Sequence, residues 1–292
     1  MDNSNVNADI EEQFKRSIRH NRSGGLCMMD MELWQPHRIQ QGQCLEAQVG
    51  PLKLWFRRRG DELHIAVKRQ TDSDDLMKAV TPQLLSEKEP VNLEWGRWVY
   101  GNSQEVFMIP VTPDRPVVVR PEMPVKIPPR QQALFFVSVP IWIRITAGDG
   151  QHIQLCEEPS ITLSNIWFGD PMSGDLCYSL RSRARREISD SRGEPHRAVC
   201  PVTISNAATG QVEIERFCVH VEHLSVYFGK SRLWTNGVKI SFKGEAEISQ
   251  VEYSEKPPTY EEIDTVLSGP RMPFRKKLLK RSLGSFGLFG GA

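Results

Sequence analysis

Apolar residues recur at every second position over much of this 292-residue chain, the spacing of strands that bury one face. Leu52, Leu54 and Phe56 alternate with Lys53, Trp55 and Arg57, a turn falls near Gly60-Asp61, and Leu63, Ile65 and Val67 resume the period. The pattern predicts a hairpin with one apolar face. Val91 to Tyr100 continues it with Trp95 and Trp98, after a short helical segment expected at Ser73 to Leu85 and interrupted by Pro82. The clearest strand runs from Leu134 to Ile145, where Phe135, Val137, Val139, Ile141, Ile143 and Ile145 share a face. Pro140 lacks the donor of a doubly paired strand, which places it at an edge or a bulge.

Seven prolines between Pro110 and Pro129 forbid helix and confine that stretch to extended pieces and turns. Further strands are predicted at Ile161 to Phe168, Leu176 to Arg186, Ala198 to Ser205, Val212 to Phe228, Leu233 to Phe242 and Glu245 to Tyr253. Asn236-Gly237 and Lys243-Gly244 are suited to tight turns. Val238, Ile240 and Phe242 are expected inside, with Lys239, Ser241 and Lys243 outside. Apolar parity slips between Ile214 and Phe217, which predicts a bulge at Glu215 or Arg216.

Helical periods do not alternate with these strands, so the expected fold is mainly β, an antiparallel immunoglobulin-like β-sandwich with a smaller N-terminal β-rich unit and short flanking helices. The division is a short helix and linker over 1–35, a small β-rich unit over 36–101, the sandwich over 102–255, and a short helix with a basic and apolar tail over 256–292. At the N-terminus, Ile10, Phe14 and Ile18 mark one amphipathic turn pair that must dock on its own body or on a partner. Near the C-terminus, Thr259 and Glu262 form a capping box for a helix through Leu267.

The tail changes the picture drawn by composition. Its six cations leave 31 Lys and Arg against 36 acids in the rest of the chain, so the near-neutral total hides an acidic body. A general attraction to nucleic acid is excluded, and no nucleic-acid partner is expected. On a helical wheel, Phe274, Leu278, Leu279 and Leu283 oppose Lys276, Lys277, Lys280 and Arg281, with Arg275 the exception; Phe286, Leu288 and Phe289 follow. These docking candidates suit a membrane interface, another protein or the chain's own body. Six scattered cysteines without a C-x-x-C pair read as reduced thiols, and no run of apolar residues is long enough for a spanning helix. A cytoplasmic protein, peripheral to the membrane, is expected.

Nucleotide-binding glycine loops, hydrolase elbows and zinc signatures are absent from the sequence. Cys218, His220 and Glu222 project from one strand face and are suitable metal ligands, but they lack a fourth partner, so neither a metal nor any other cofactor is expected. Arg181, Arg183 and Arg185 share a strand face opposite Leu176, Tyr178 and Leu180, where guanidinium forks could receive phosphate or carboxylate groups, or pair with acids on neighbouring strands.

Residues 165–174, with Trp167-Phe168-Gly169 and Gly174 leading to Cys177-Tyr178 and Arg181, together with the Phe136 to Ile145 strand, resemble a prokaryotic domain-of-unknown-function family, number 432. The likeness covers most of Leu52 to Tyr253 and leaves the N-terminal helix and C-terminal tail outside. It implies no activity; it implies a soluble accessory protein encoded beside small mechanosensitive channels. The leading expectation is a noncatalytic interaction or accessory module that docks on a membrane surface or membrane protein, such as a channel, through its tail. The alternative is an enzyme or small-ligand binder with a cleft between the two β units, where Arg181, Arg183 and His196 would act. Oligomeric state is left open by the sequence.

Overall fold

The computed structural model describes residues 28–70, 79–85, 92–101, 103–148, 152–172, 174–188, 193–244, 249–272, 277–279 and 283–284, of which 28–30, 79–85, 277–279 and 283–284 are described by their backbone. The N-terminal amphipathic turns around Phe14 lie outside the described residues. The fold is mainly β, and among the described residues its α-helix is Met28–Leu33.

Two layered pairs of sheets carry the structure. In the first, strands Ala79–Leu85, Cys44–Val49, Leu52–Arg59, Glu62–Arg69 and Trp95–Val99 form an antiparallel sheet in that order. Its inner residues Leu45, Val49, Leu54, Phe56 and Ile65 pack on Val106, Met108, Ile143 and Ile145 of a second sheet, ordered His37–Arg38, Glu105–Val111, Trp142–Ala147, Ile153–Pro159.

In the second pair, an eight-stranded sheet built around Arg197–Asn206 faces a five-stranded sheet ordered Ser164–Phe168, Asp175–Ala184, Val117–Pro121, Arg216–Val219, Leu283–Gly284. Phe135, Val137, Val202, Ile204 and Ile240 from one sheet meet Val117, Val119, Leu180 and Phe217 from the other in a closed core. The hairpin expected around Gly60-Asp61 is present, with Leu54 opposite Val67 and Phe56 opposite Ile65. Val238 and Ile240 are buried and Phe242 is half-buried against the core, while Lys239 and Lys243 are exposed.

Several expectations are corrected. The Leu134 to Ile145 run is two strands, Gln132–Pro140 and Trp142–Ala147, which belong to different sheets. Pro140 is the last residue paired with Arg197–Asn206, and there the missing donor ends the ladder. The helix expected at Ser73 to Leu85 is instead a strand over Ala79–Leu85, with 73–78 outside the described residues. Pro82 is tolerated because it lies on an edge strand, at the register slip opposite Ala47.

The helix expected from Thr259 to Leu267 is replaced by strand Ile263–Ser268, which pairs with Val226–Gly229. Ile263, Thr265 and Val266 are β-branched and suit that pleat, and Glu262 is drawn to Lys230 rather than back to a cap. Asn236-Gly237 makes no hairpin, because Leu233–Thr235 and Val238–Phe242 both run parallel to Arg197–Asn206. Asn236 is buried there, accepting from the Ser225 N–H at 2.9 Å and donating to the Ser254 carbonyl at 2.7 Å. The parity slip after Ile214 is a break at Glu215 that separates Val212–Ile214 from Arg216–Val219.

Two short pieces of the tail are strands. Lys277–Leu279 pairs with Gln250–Tyr253, and Leu283–Gly284 pairs with Arg216 and Phe217. A short apolar run satisfies either period, and the open strand edges supply the hydrogen-bonding groups that decide for β. Just before these strands, Arg271 donates to the Thr112 carbonyl at 2.5 Å and pairs with Glu157 at 2.5 Å, and Glu157 also meets Arg144 at 2.7 Å. Burial raises the Glu157 carboxyl, but Arg271 and Arg144 outweigh it and hold the group below its ordinary value.

Phe56→Ala should lower stability by about 3–5 kcal/mol in urea unfolding, whereas Val99→Ala at an exposed edge should stay within about 0.5 kcal/mol. Because the folded value of Glu157 is depressed, its contribution is complete above the unfolded value near 4.5 and is lost as pH falls through the folded one. Glu157→Gln should therefore melt below wild type at neutral pH, with the two curves converging in acid. A chain truncated after Pro270 should melt several degrees lower than the full chain; identical melting curves would show that the tail strands contribute nothing.

Candidate functional site

Strand Asp175–Ala184 carries the arginines that the sequence singled out. Leu180 and Ala184 point into the core, so alternation turns Arg181 and Arg183 outward, and both are exposed. Arg185, also exposed, is occupied by Glu122 at 3.0 Å. Among the described residues Arg181 and Arg183 make no ion pair or hydrogen bond through their side chains.

The topology adds two arginines that local sequence could not. Asp175–Ala184 runs parallel to Val117–Pro121 and places Arg183 opposite Arg120, an exposed residue likewise without an ion pair among the described residues. On the other side of that strand Phe217 is opposite Val119, so Arg216 comes opposite Arg120 one step further on. Burial lowers the Arg216 guanidinium, Arg120 lowers it further, and Glu215 opposes both. Its guanidinium carbon lies 5.4 Å from the centre of the Phe168 ring.

Beneath these cations the same outer face holds a small apolar cluster of Val118, Phe168, Cys177 and Cys218, with Ile166 against it. The Cys177 and Cys218 sulfurs are 3.7 Å apart, well beyond a covalent bond. Contact with Cys177, then burial, raises the Cys218 thiol well above its ordinary value, with Glu222 and Asp175 adding to the effect. Burial pushes Cys200 up to about 12. These are poor nucleophiles, since the thiolate is the reactive form.

At the open edge of the sheet, Trp167 pairs with Leu176, and they are 47% and 43% exposed. The connecting turn leaves Met172 93% exposed. It is fixed by Asp170, whose carbonyl accepts from Trp167 Nε1 at 3.0 Å and from the Gly174 N–H at 2.7 Å. A Cβ on Gly174 would lie 2.5 Å from Trp167 Nε1, so the turn requires glycine.

The remaining candidates do not converge. Cys218 faces Cys177, while His220 Nδ1 meets Glu222 Oε1 at 3.2 Å beyond the end of the strand. Among the described residues no group of three His, Cys, Asp or Glu could hold a metal ion. His196, the third residue of the cleft alternative, is fully enclosed, and a Cβ on Gly50 would come within 2.4 Å of its ring. Lys277 lies on a strand, whereas Phe274, Arg275, Lys276, Lys280, Arg281, Phe286, Leu288 and Phe289 lie outside the described residues.

A family model described as a protein of unknown function, DUF432, matches residues 33–287. The match is wider than the sequence resemblance: it takes in strands Cys44–Val49 and Ile263–Ser268, both members of the sheets, and runs into the tail as far as residue 287. No curated protein and no solved structure matches the chain. Among the described residues, no helix is long and apolar enough to cross a membrane.

When native protein is treated with a thiol reagent near pH 8 and the adducts are mapped by mass spectrometry, Cys177, Cys200 and Cys218 should remain unlabelled until denaturant is added. Rapid native labelling at Cys218 would contradict its enclosure.

Proposed function

The chain belongs to the DUF432 family, and from the outer face of its five-stranded sheet we propose that it is a noncatalytic interaction module, an accessory protein that docks on an anionic membrane face or on a membrane protein lying in it. One observation carries this reading: the strand bearing Arg181 and Arg183 and the C-terminal strand Leu283–Gly284 are members of the same sheet. Phe286, Leu288 and Phe289 come two to five residues after Gly284 in the sequence. Met172, on the turn of the edge hairpin, is an exposed apolar group of the kind that enters a lipid interface, whereas the exposed Trp167 and Leu176 lie on the face opposite the arginines. The free thiols of the described cysteines fit the cytoplasmic side.

Each arginine near an anionic surface contributes about 1 kcal/mol, which salt weakens, so charge and apolar insertion must act together. Sedimentation with vesicles containing phosphatidylglycerol should carry down the full chain, and vesicles of phosphatidylcholine alone should not. Arg181→Glu combined with Arg183→Glu should reduce the bound fraction several-fold. Truncation after Gly284, which keeps every described strand, should reduce it as well. Equal sedimentation of all three proteins would reject the reading.

A further inference from the structure

Like charges placed directly across strands repel, and a solvated sheet face ordinarily interleaves the two signs. The outer face of Val117–Pro121 does the opposite. Arg183, Arg120 and Arg216 stand side by side on three adjacent strands, and Arg181 lies two residues from Arg183 on the same face. At a strand spacing of about 4.8 Å the row spans roughly 10 Å. Of the acids beside the row, Glu122 is paired with Arg185, and Glu215 offsets the repulsion at Arg216 only in part, since burial and Arg120 still lower that guanidinium. Nor does the row reflect a generally basic protein, because acids outnumber Lys and Arg in the chain before residue 271.

A repulsive row of this kind is stabilised when an anion completes it. A single carboxylate offers one charge and two oxygens, too little for three forks. A phosphoryl group offers up to two charges and three acceptor oxygens, and guanidinium forks match its geometry bidentately. We infer that Arg183, Arg120 and Arg216, with Arg181 beside them, form a binding site for a phosphate or diphosphate group, carried either by a lipid headgroup or by a soluble molecule. Arg216 is the fixed element, half-buried and lying over Phe168; Arg120 and Arg183 are free to close from solvent. This rests on the reading of the face as the docking surface and names the chemistry it recognises.

The test is calorimetric titration of the full chain with inorganic pyrophosphate at low salt, alongside sedimentation with vesicles containing phosphatidic acid. Saturable binding at one site per chain is expected. Arg120→Gln and Arg183→Gln should each weaken it at least tenfold, and Arg183→Lys should weaken it nearly as much, because charge is kept and the fork is lost. Lys239→Gln, an exposed cation on the other sheet, should leave it unchanged. Pyrophosphate that fails to saturate, binding unaffected by either glutamine variant, or tighter binding of a polyglutamate peptide would overturn the inference. Saturation by pyrophosphate without sedimentation assigns the site to a soluble phosphate and removes the membrane reading alone. Vesicle binding that pyrophosphate does not displace removes the phosphate site and leaves the membrane reading standing.

Discussion

The whole arrangement depends on one unbroken apolar alternation that threads two cores. Ala133, Phe135, Val137, Val139, Ile141, Ile143, Ile145 and Ala147 are all buried, yet the residues up to Val139 pack between one pair of sheets and Ile141, Ile143 and Ile145 between the other. Pro140 makes this transfer local: the ladder with Arg197–Asn206 ends at its missing donor, and the Ile141 N–H is taken by the His196 carbonyl at 3.0 Å. The Ile141 carbonyl accepts from the Ser160 N–H at 3.1 Å, so the crossing residue has both backbone groups satisfied while its side chain stays in the core. His196 is held there by the close approach of Gly50, a residue at φ +57 where a side chain would be strained and would also collide with the imidazole. A residue that looked like a cleft histidine is thus part of the joint between sandwiches.

The same constraint governs where polar chemistry can stand. Inner positions such as Val117, Val119, Leu180, Ala184, Phe217 and Val219 of the five-stranded sheet are committed to the core, and a small apolar cluster covers part of its outer face. Contact with Cys177 and burial raise the Cys218 thiol, which makes it a poor nucleophile. The exposed charged groups of that face include Arg120, Arg181 and Arg183.

Strands with one buried face were legible because period two is written directly in residues such as Leu52 to Phe56 and Val238 to Ile240. The helices drawn from short apolar or capping patterns at Ser73 to Leu85 and Thr259 to Leu267 were not: strands Ala79–Leu85 and Ile263–Ser268 lie there, since a few apolar residues fit either period and the open edges of neighbouring strands decided the matter. Of the arginine face, sequence could show Arg181, Arg183 and Arg185, which alternate on one strand. It could not show Arg120 and Arg216, because they join the row through a parallel pairing and an antiparallel pairing between segments far apart in the chain. Arg185 was equally readable as a site residue and is instead neutralised by Glu122 from the end of Val117–Pro121.

The C-terminal segment closes edges on both layers of the second sandwich. Lys277–Leu279 covers Gln250–Tyr253 of the eight-stranded sheet, and Leu283–Gly284 covers Arg216–Val219 of the five-stranded one, so the chain passes from one layer to the other between Leu279 and Leu283. Exposed edges invite pairing with other chains, and covering two of them with one segment removes both hazards.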